Sequence, residues 1–155
     1  MNMLSLVDLL SINLDEAATF IPRSAMNEND EAIVDAVFNK LRKINPNLSV
    51  TITAGKGGSW CLDGEKVQAV PALPVQVVST AGAGDAFFAG FLCGITAGLS
   101  FHLAQELGTL VASCSITSPH TIHPTLDRAL LSALVQETHP HLSKQVQDLL
   151  GSENG

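Results

Sequence analysis

The chain has 155 residues, the length of one ordinary domain with room for a real core, and its 15 acidic against 8 basic residues give a formal charge of −7. Eight scattered Lys and Arg cannot form the basic patch that nucleic acid requires, so no nucleic-acid partner is expected. Hydrophobic residues make up 46% and charged residues 15%, apolar for a free-standing domain, which points to surface that expects a partner.

No apolar run reaches the roughly 18 residues needed to span a bilayer. The first residues carry no basic region of a secretory signal, and Asp8 interrupts the apolar run, so a cytoplasmic protein without membrane contact is expected. Cys61, Cys93 and Cys114 lie far apart with no C-x-x-C pair, which gives no zinc site and no disulfide framework. Cys93 falls within an apolar run and reads as a small core residue. His120 and His123 stand in a Pro-flanked loop without a third ligand, and His139 and His141 bracket Pro140 as at a helix boundary.

Leu4 to Ile12 reads as a strand, with or without one preceding helical turn. Asn13 and Glu16 follow with the spacing of a capping box. From Glu28 to Arg42, Ile33, Val34, Val37, Phe38 and Leu41 recur on one helical face, with acids at the start and bases at the end as the helix dipole favours. Leu48 to Ala54 is rich in β-branched residues and predicts a strand. Gly55-Lys56 is not a P-loop, because Val50 stands where the first glycine belongs and Gly57 where Ser or Thr belongs. Ser59 to Leu62 and Lys66 to Ala69 form a hairpin pattern across Asp63-Gly64.

Next comes the stretch around which the chain is organised. Val75 to Val78 looks strand-like, and Ala86 to Ala97 reads as a buried helix. Between them lies Ser79-Thr80-Ala81-Gly82-Ala83-Gly84-Asp85. A turn of Gly and Ala keeps side chains away, so that successive N–H groups can close on an anion at the positive end of the helix. Asp85, in the first turn, would carry a carboxylate to the same spot, where it could take a proton from an attacking hydroxyl. The same residues would also serve a plain tight turn and helix start. Phe101 to Ile116 predicts a second buried helix, and Leu126 to Thr138 and Leu142 to Leu150 two short ones. Gly151 to Gly155 is expected to be a disordered tail.

Ser79 to Leu92 resembles the signature of the ribokinase-like sugar kinases, the PfkB family, with Thr80, Gly82, Ala83, Gly84, Asp85, Ala86, Phe87 and Gly90 in register. The resemblance implies ATP-dependent phosphorylation of a sugar or related alcohol, with Asp85 as base and the amides of Gly82, Ala83 and Gly84 as the anion hole. It implies that Asn13 and Glu16, matching the family's N-x-x-E motif, order Mg²⁺ around the phosphates. Thr53, Gly55 and Gly58 resemble the T-L-G-x-x-G segment that meets the nucleotide, with Ala54 replacing Leu. Ala112, Ser115 and the loop from Ser118 to Thr121 would border the adenine. Ser79 departs from the Asp that many members use to hold a monovalent cation, which puts cation activation in doubt.

The resemblance covers about Leu4 to Thr138, and family members are considerably longer. The expected fold is therefore α/β, the C-terminal part of a ribokinase-like doubly wound sheet with flanking helices, its lid and N-terminal strands absent. Residues 1–150 would form one nucleotide-binding and catalytic half-domain. Its expected partners are ATP, a small sugar-like acceptor, and either another copy or the missing N-terminal half. A truncated, catalytically inactive nucleotide-binding or interaction module is the alternative.

Overall fold

A computed structural model describes residues 3–23, 28–138 and 141–151. The chain forms two compact units, Met1–Pro71 and Ala72–Gly155.

The first unit begins with a 3-10 turn, Met3–Leu6, and strand β1, Leu9–Asn13. Helix α1, Leu14–Ala18, follows directly, and helix α2 spans Asp30–Ile44. The Asn29 side chain caps α2 by accepting from the Ala32 N–H at 2.9 Å. Strands β2, Ser49–Thr53, β3, Ser59–Asp63, and β4, Lys66–Val70, complete a sheet in the order β1-β2-β3-β4. β1 runs parallel to β2, with Leu10 opposite Val50 and Asn13 opposite Thr53. β2, β3 and β4 are antiparallel neighbours. The parallel ladder expected of a doubly wound sheet is thus represented by one pair, on which an antiparallel hairpin is built. The hairpin turn is Gly64-Glu65, one residue later than the expected Asp63-Gly64, and Gly64 has φ +60°.

The predicted apolar face of α2 is the one that is buried. Val34, Val37, Phe38 and Leu41 pack with Val50, Ile52, Trp60 and Leu62 of the sheet in one core. The parallel connection from β1 to β2 carries α1 and α2 between the strands, as parallel pairing requires.

The second unit is helical: α3, Ala83–Thr96, α4, Phe101–Ser115, α5, Arg128–Thr138, and α6, Lys144–Gly151. α3 and α4 approach closely because glycines face each other. A Cβ on Gly90 would stand 2.8 Å from the Val111 side chain, and one on Gly108 2.8 Å from the Phe87 carbonyl oxygen. Phe91 meets Phe101 edge to face, with ring centroids 4.8 Å apart. Leu107, Leu110, Val111 and Cys114 of α4 share a core with Leu131, Leu134 and Val146.

Three local expectations change. Val75 to Val78 forms no strand; the Val78 N–H donates instead to the Ile116 carbonyl at 2.8 Å, a single tie to a helix end where a ladder would need a neighbouring strand. Cys93 is exposed. α3 is apolar on every side, so its buried face is chosen by where α4 lies, and the buried residues are Phe87, Gly90, Phe91 and Gly94. Gly151 closes α6 instead of opening a tail, while residues 152–155, like His139 and Pro140, lie outside the described residues.

Candidate active site

α3 begins in an unusual way. Its N-cap is Gly82, with φ 77° and ψ 3°, and no side chain caps the helix. Only glycine suits this left-handed position, and here space forbids a side chain as well. A Cβ built on Gly82 would run into the carbonyl oxygen of Thr121 and stand 2.9 Å from its Cγ2. The turn before it is tied down by short-range bonds. Val78 and Ser79 both donate their N–H to the Ile116 carbonyl, at 2.8 and 3.2 Å, and the Ser79 hydroxyl accepts from the Ala81 N–H at 3.3 Å.

The first turn of a helix leaves N–H groups without intrahelical acceptors. The Ala83 N–H donates to the Thr80 carbonyl at 3.2 Å, and the Ala86 N–H to the Gly82 carbonyl at 2.9 Å. Gly84 and Asp85 are left as first-turn donors that no side chain occupies. A Cβ at Gly84 would meet nothing within 4 Å, and Gly84 is exposed, so this side of the turn is open. Asp85 is exposed in the same turn. A cradle of backbone donors at the positive helix end, with one carboxylate beside it, can hold a phosphate and accept a proton.

Of the other second-unit candidates, Ala112 is half-buried near the end of α4 and Ser115 is buried, 3% exposed. Thr121 belongs to the loop expected to border a nucleotide. Its backbone contact with Gly82 was not legible, because nothing local to either residue points to the other.

In the first unit, Asn13 and Glu16 form the predicted capping box. Asn13 Oδ1 accepts from the Glu16 N–H at 2.8 Å, and Glu16 Oε2 accepts from the Asn13 N–H at 2.9 Å. Both residues are exposed. The second carboxylate oxygen of Glu16 takes no part in the box. Among the described residues, no group of three or more His, Cys, Asp or Glu could enclose a metal ion.

Thr53 ends β2, and Gly55 to Gly57 forms a single 3-10 turn. Gly55 and Gly58 have φ of 53° and 89°. The loop is closed by the Ala54 N–H donating to the Gly58 carbonyl at 2.9 Å and the Gly58 N–H to the Gly55 carbonyl at 3.0 Å. Gly55 is exposed and Gly58 buried, so the turn presents bare backbone at the end of β2.

Asn13, Glu16, Thr53, Gly55 and Gly58 belong to the first unit, and Gly82 to Asp85, Ala112 and Ser115 to the second. Among the described residues, no helix is long and apolar enough to cross a membrane.

The mixed α/β architecture is that of part of the ribokinase-like fold class. Residues 1–128 match the model of the pfkB family carbohydrate kinases, and the chain belongs to that family. It is 43% identical over 68 residues to fructoselysine 6-kinase of Shigella flexneri, covering 44% of this chain and 26% of that protein. It is 32% identical over 116 residues to ribokinase of Lactococcus lactis, covering 75% of this chain and 34% of that protein. The structure of Arabidopsis thaliana ribokinase complexed with ribose and ATP superposes with a TM-score of 0.73 at 28% identity, over 86% of this chain and 42% of that one. The chain thus spans between 26% and 34% of the length of these curated relatives.

Proposed function

We propose that this chain supplies the nucleotide side of an ATP-dependent carbohydrate kinase, with residues 1–150 acting together as one nucleotide-binding and catalytic half-domain. The observation that carries this reading is the start of α3, where Gly82 leaves the first-turn amides uncapped beside Asp85. The acceptor hydroxyl loses its proton to the Asp85 carboxylate as its oxygen bonds to the γ-phosphorus. The bond from that phosphorus to the bridging oxygen of ADP then breaks. Charge on the transferring group is met by the N–H groups of Gly82 to Gly84, with Ala83 giving up its bond to Thr80 for the anion.

Gly55 and Gly58, with Thr53, offer close backbone approach to the nucleotide, and Ala112 and Ser115 border its base. Mg²⁺, when bound, neutralises phosphate charge, and Glu16 with Asn13 would orient its waters. The acceptor is a sugar or a related small alcohol. The relatives' names supply first candidates: fructoselysine, ribose and fructose-type substrates.

β1 lies at the edge of the sheet, and Met3 and Leu6 beside it are 77% and 65% exposed. That edge is where an N-terminal half or a second copy would pair. Isothermal titration of the folded chain with Mg·ATP tests the nucleotide side directly. Weak saturable binding is expected, and its absence would overturn the proposal.

A further inference from the structure

The second unit contains a cavity of about 310 Å³ that the kinase reading does not use. Its walls come from three segments: Val75 and Val78 of the connecting chain, Cys114 and Thr117 at the end of α4, and Leu134 and Glu137 of α5. The volume falls within the range that holds small organic ligands, and the lining is mixed, with the apolar side chains of Val75, Val78, Leu130 and Leu134 beside the polar ones of Gln76, Thr117, Glu137 and Thr138. Thr117 already donates its hydroxyl to the Cys114 carbonyl at 2.8 Å, so towards a ligand it has only lone pairs to give. Burial and the nearby Asp127 push the Cys114 thiol up, so that wall is neutral. Glu137 is the only charged side chain among the described lining residues. A ligand complementary to these walls has an apolar body, a hydrogen-bond donor and a positive charge.

The position of the cavity matters as much as its lining. Val78 leads directly into Ser79 to Gly84, and Thr117 leads into the loop whose Thr121 abuts Gly82. The two walls are clamped together by the bonds from Val78 and Ser79 to the Ile116 carbonyl. Anything that spreads or tightens the cavity therefore pulls on both backbone segments that meet at the cradle. We propose that the cavity binds a small organic cation with an apolar body, and that its occupancy is transmitted to the turn from Ser79 to Gly84. The second half deepens the kinase reading and rests on it; the first half does not.

The probe is benzylammonium, titrated into the ¹⁵N-labelled chain, with benzyl alcohol and benzoate as uncharged and anionic controls. Saturable shifts are expected at the amides of Val75, Val78, Thr117 and Leu134, with affinity in about the millimolar range for so small a ligand. Benzylammonium should bind more tightly than benzyl alcohol, and benzoate least. Glu137→Gln should weaken benzylammonium about threefold, the worth of an exposed ion pair, and leave benzyl alcohol unchanged. Ala133→Trp, at an exposed position on the lining, should fill the space and abolish both. No saturable shifts, benzoate binding as tightly as benzylammonium, or indifference to both variants would overturn the site. Amides of Ser79 to Gly84 should shift with the same midpoint; shifts confined to the walls would overturn the transmission. A parallel Mg·ATP titration reports the cradle itself, so failure of the kinase reading is seen separately.

Discussion

Glu106 of α4 holds Ser143 at the start of α6 by both of its carboxylate oxygens. Oε2 accepts from the Ser143 N–H at 2.8 Å and Oε1 from the Ser143 hydroxyl at 2.7 Å. His102 Nε2 lies 3.6 Å from the same Oε1, one helical turn earlier. A carboxylate that is 6% exposed is thereby satisfied by the helix end it fixes. Glu106→Ala should remove both bonds and cost about 2–3 kcal/mol, since hydrogen bonds to a charged group are the strong ones. Urea unfolding checks the magnitude, and faster hydrogen exchange in α6 than in α3 would locate it.

Gly82 and Gly84 separate the needs of the fold from those of the ligand. Gly82→Ala meets a left-handed backbone and the Thr121 carbonyl together, and should cost about 1–3 kcal/mol in stability. Gly84→Ala sits in a helix with open space around its Cβ, and should raise stability by about 0.5 kcal/mol. Both should weaken Mg·ATP binding by calorimetry. A Gly84→Ala chain that binds nucleotide as well as the parent would remove this turn from the phosphate site.

Asp85→Asn keeps the shape of the side chain and removes its ability to take a proton. If the proposed phosphoryl transfer is carried by Asp85, the substitution should lower kcat by about 10²–10⁴-fold, the usual worth of a positioned base, with nucleotide affinity little changed. Steady-state kinetics against a responsive sugar is the measurement, and unchanged turnover would show that another group accepts the proton.

The α3–α4 contact is close enough that one methyl group matters. Gly108→Ala would place a Cβ 2.8 Å from the Phe87 carbonyl and 3.2 Å from its ring, with backbone on one side and a buried ring on the other. Overpacking here should cost about 1–3 kcal/mol in thermal or urea unfolding. An unchanged midpoint would mean that the two helices can separate without loss.

The thiols should react very unequally. Cys93 is exposed, while Cys61 and Cys114 are buried. Burial, helped by Asp63, pushes the Cys61 thiol up to about 12. A disulfide reagent at pH 8 should therefore modify one thiol quickly in the native chain and none in Cys93→Ser. The fold favours neutral Cys61. The stability tied to it is present below the ordinary thiol value of 9.0, and should fall as pH rises from there towards 12.

Much of this architecture is local and could be read directly. The capping box of Asn13 and Glu16, the apolar face of α2, the β3–β4 hairpin and the glycine turn before Asp85 each depend on residues a few positions apart. Backbone sterics and short-range hydrogen bonds act at that distance whatever the rest of the chain does. Even there, α3 starts at Ala83 and not at Ala86, because the uncapped left-handed Gly82 admits the helix one turn earlier than the apolar run announces.

What tertiary structure decided is partnership. Val75 to Val78 has the composition of a strand, but strand identity needs a neighbouring ladder, and a helix-end carbonyl took its place. Cys93 lies in a run that is apolar all round, so no periodicity marks a face, and the glycines that admit α4 turned it outward. The partner of Glu106, Ser143, stands 37 residues further on, and no local pattern marks the pair. The local order of residues determined that a glycine turn and a carboxylate would stand together at one helix start. Only the packing of distant segments set Thr121 against Gly82 and left the turn no room for a side chain, because contacts between residues far apart in sequence leave no periodic trace in it.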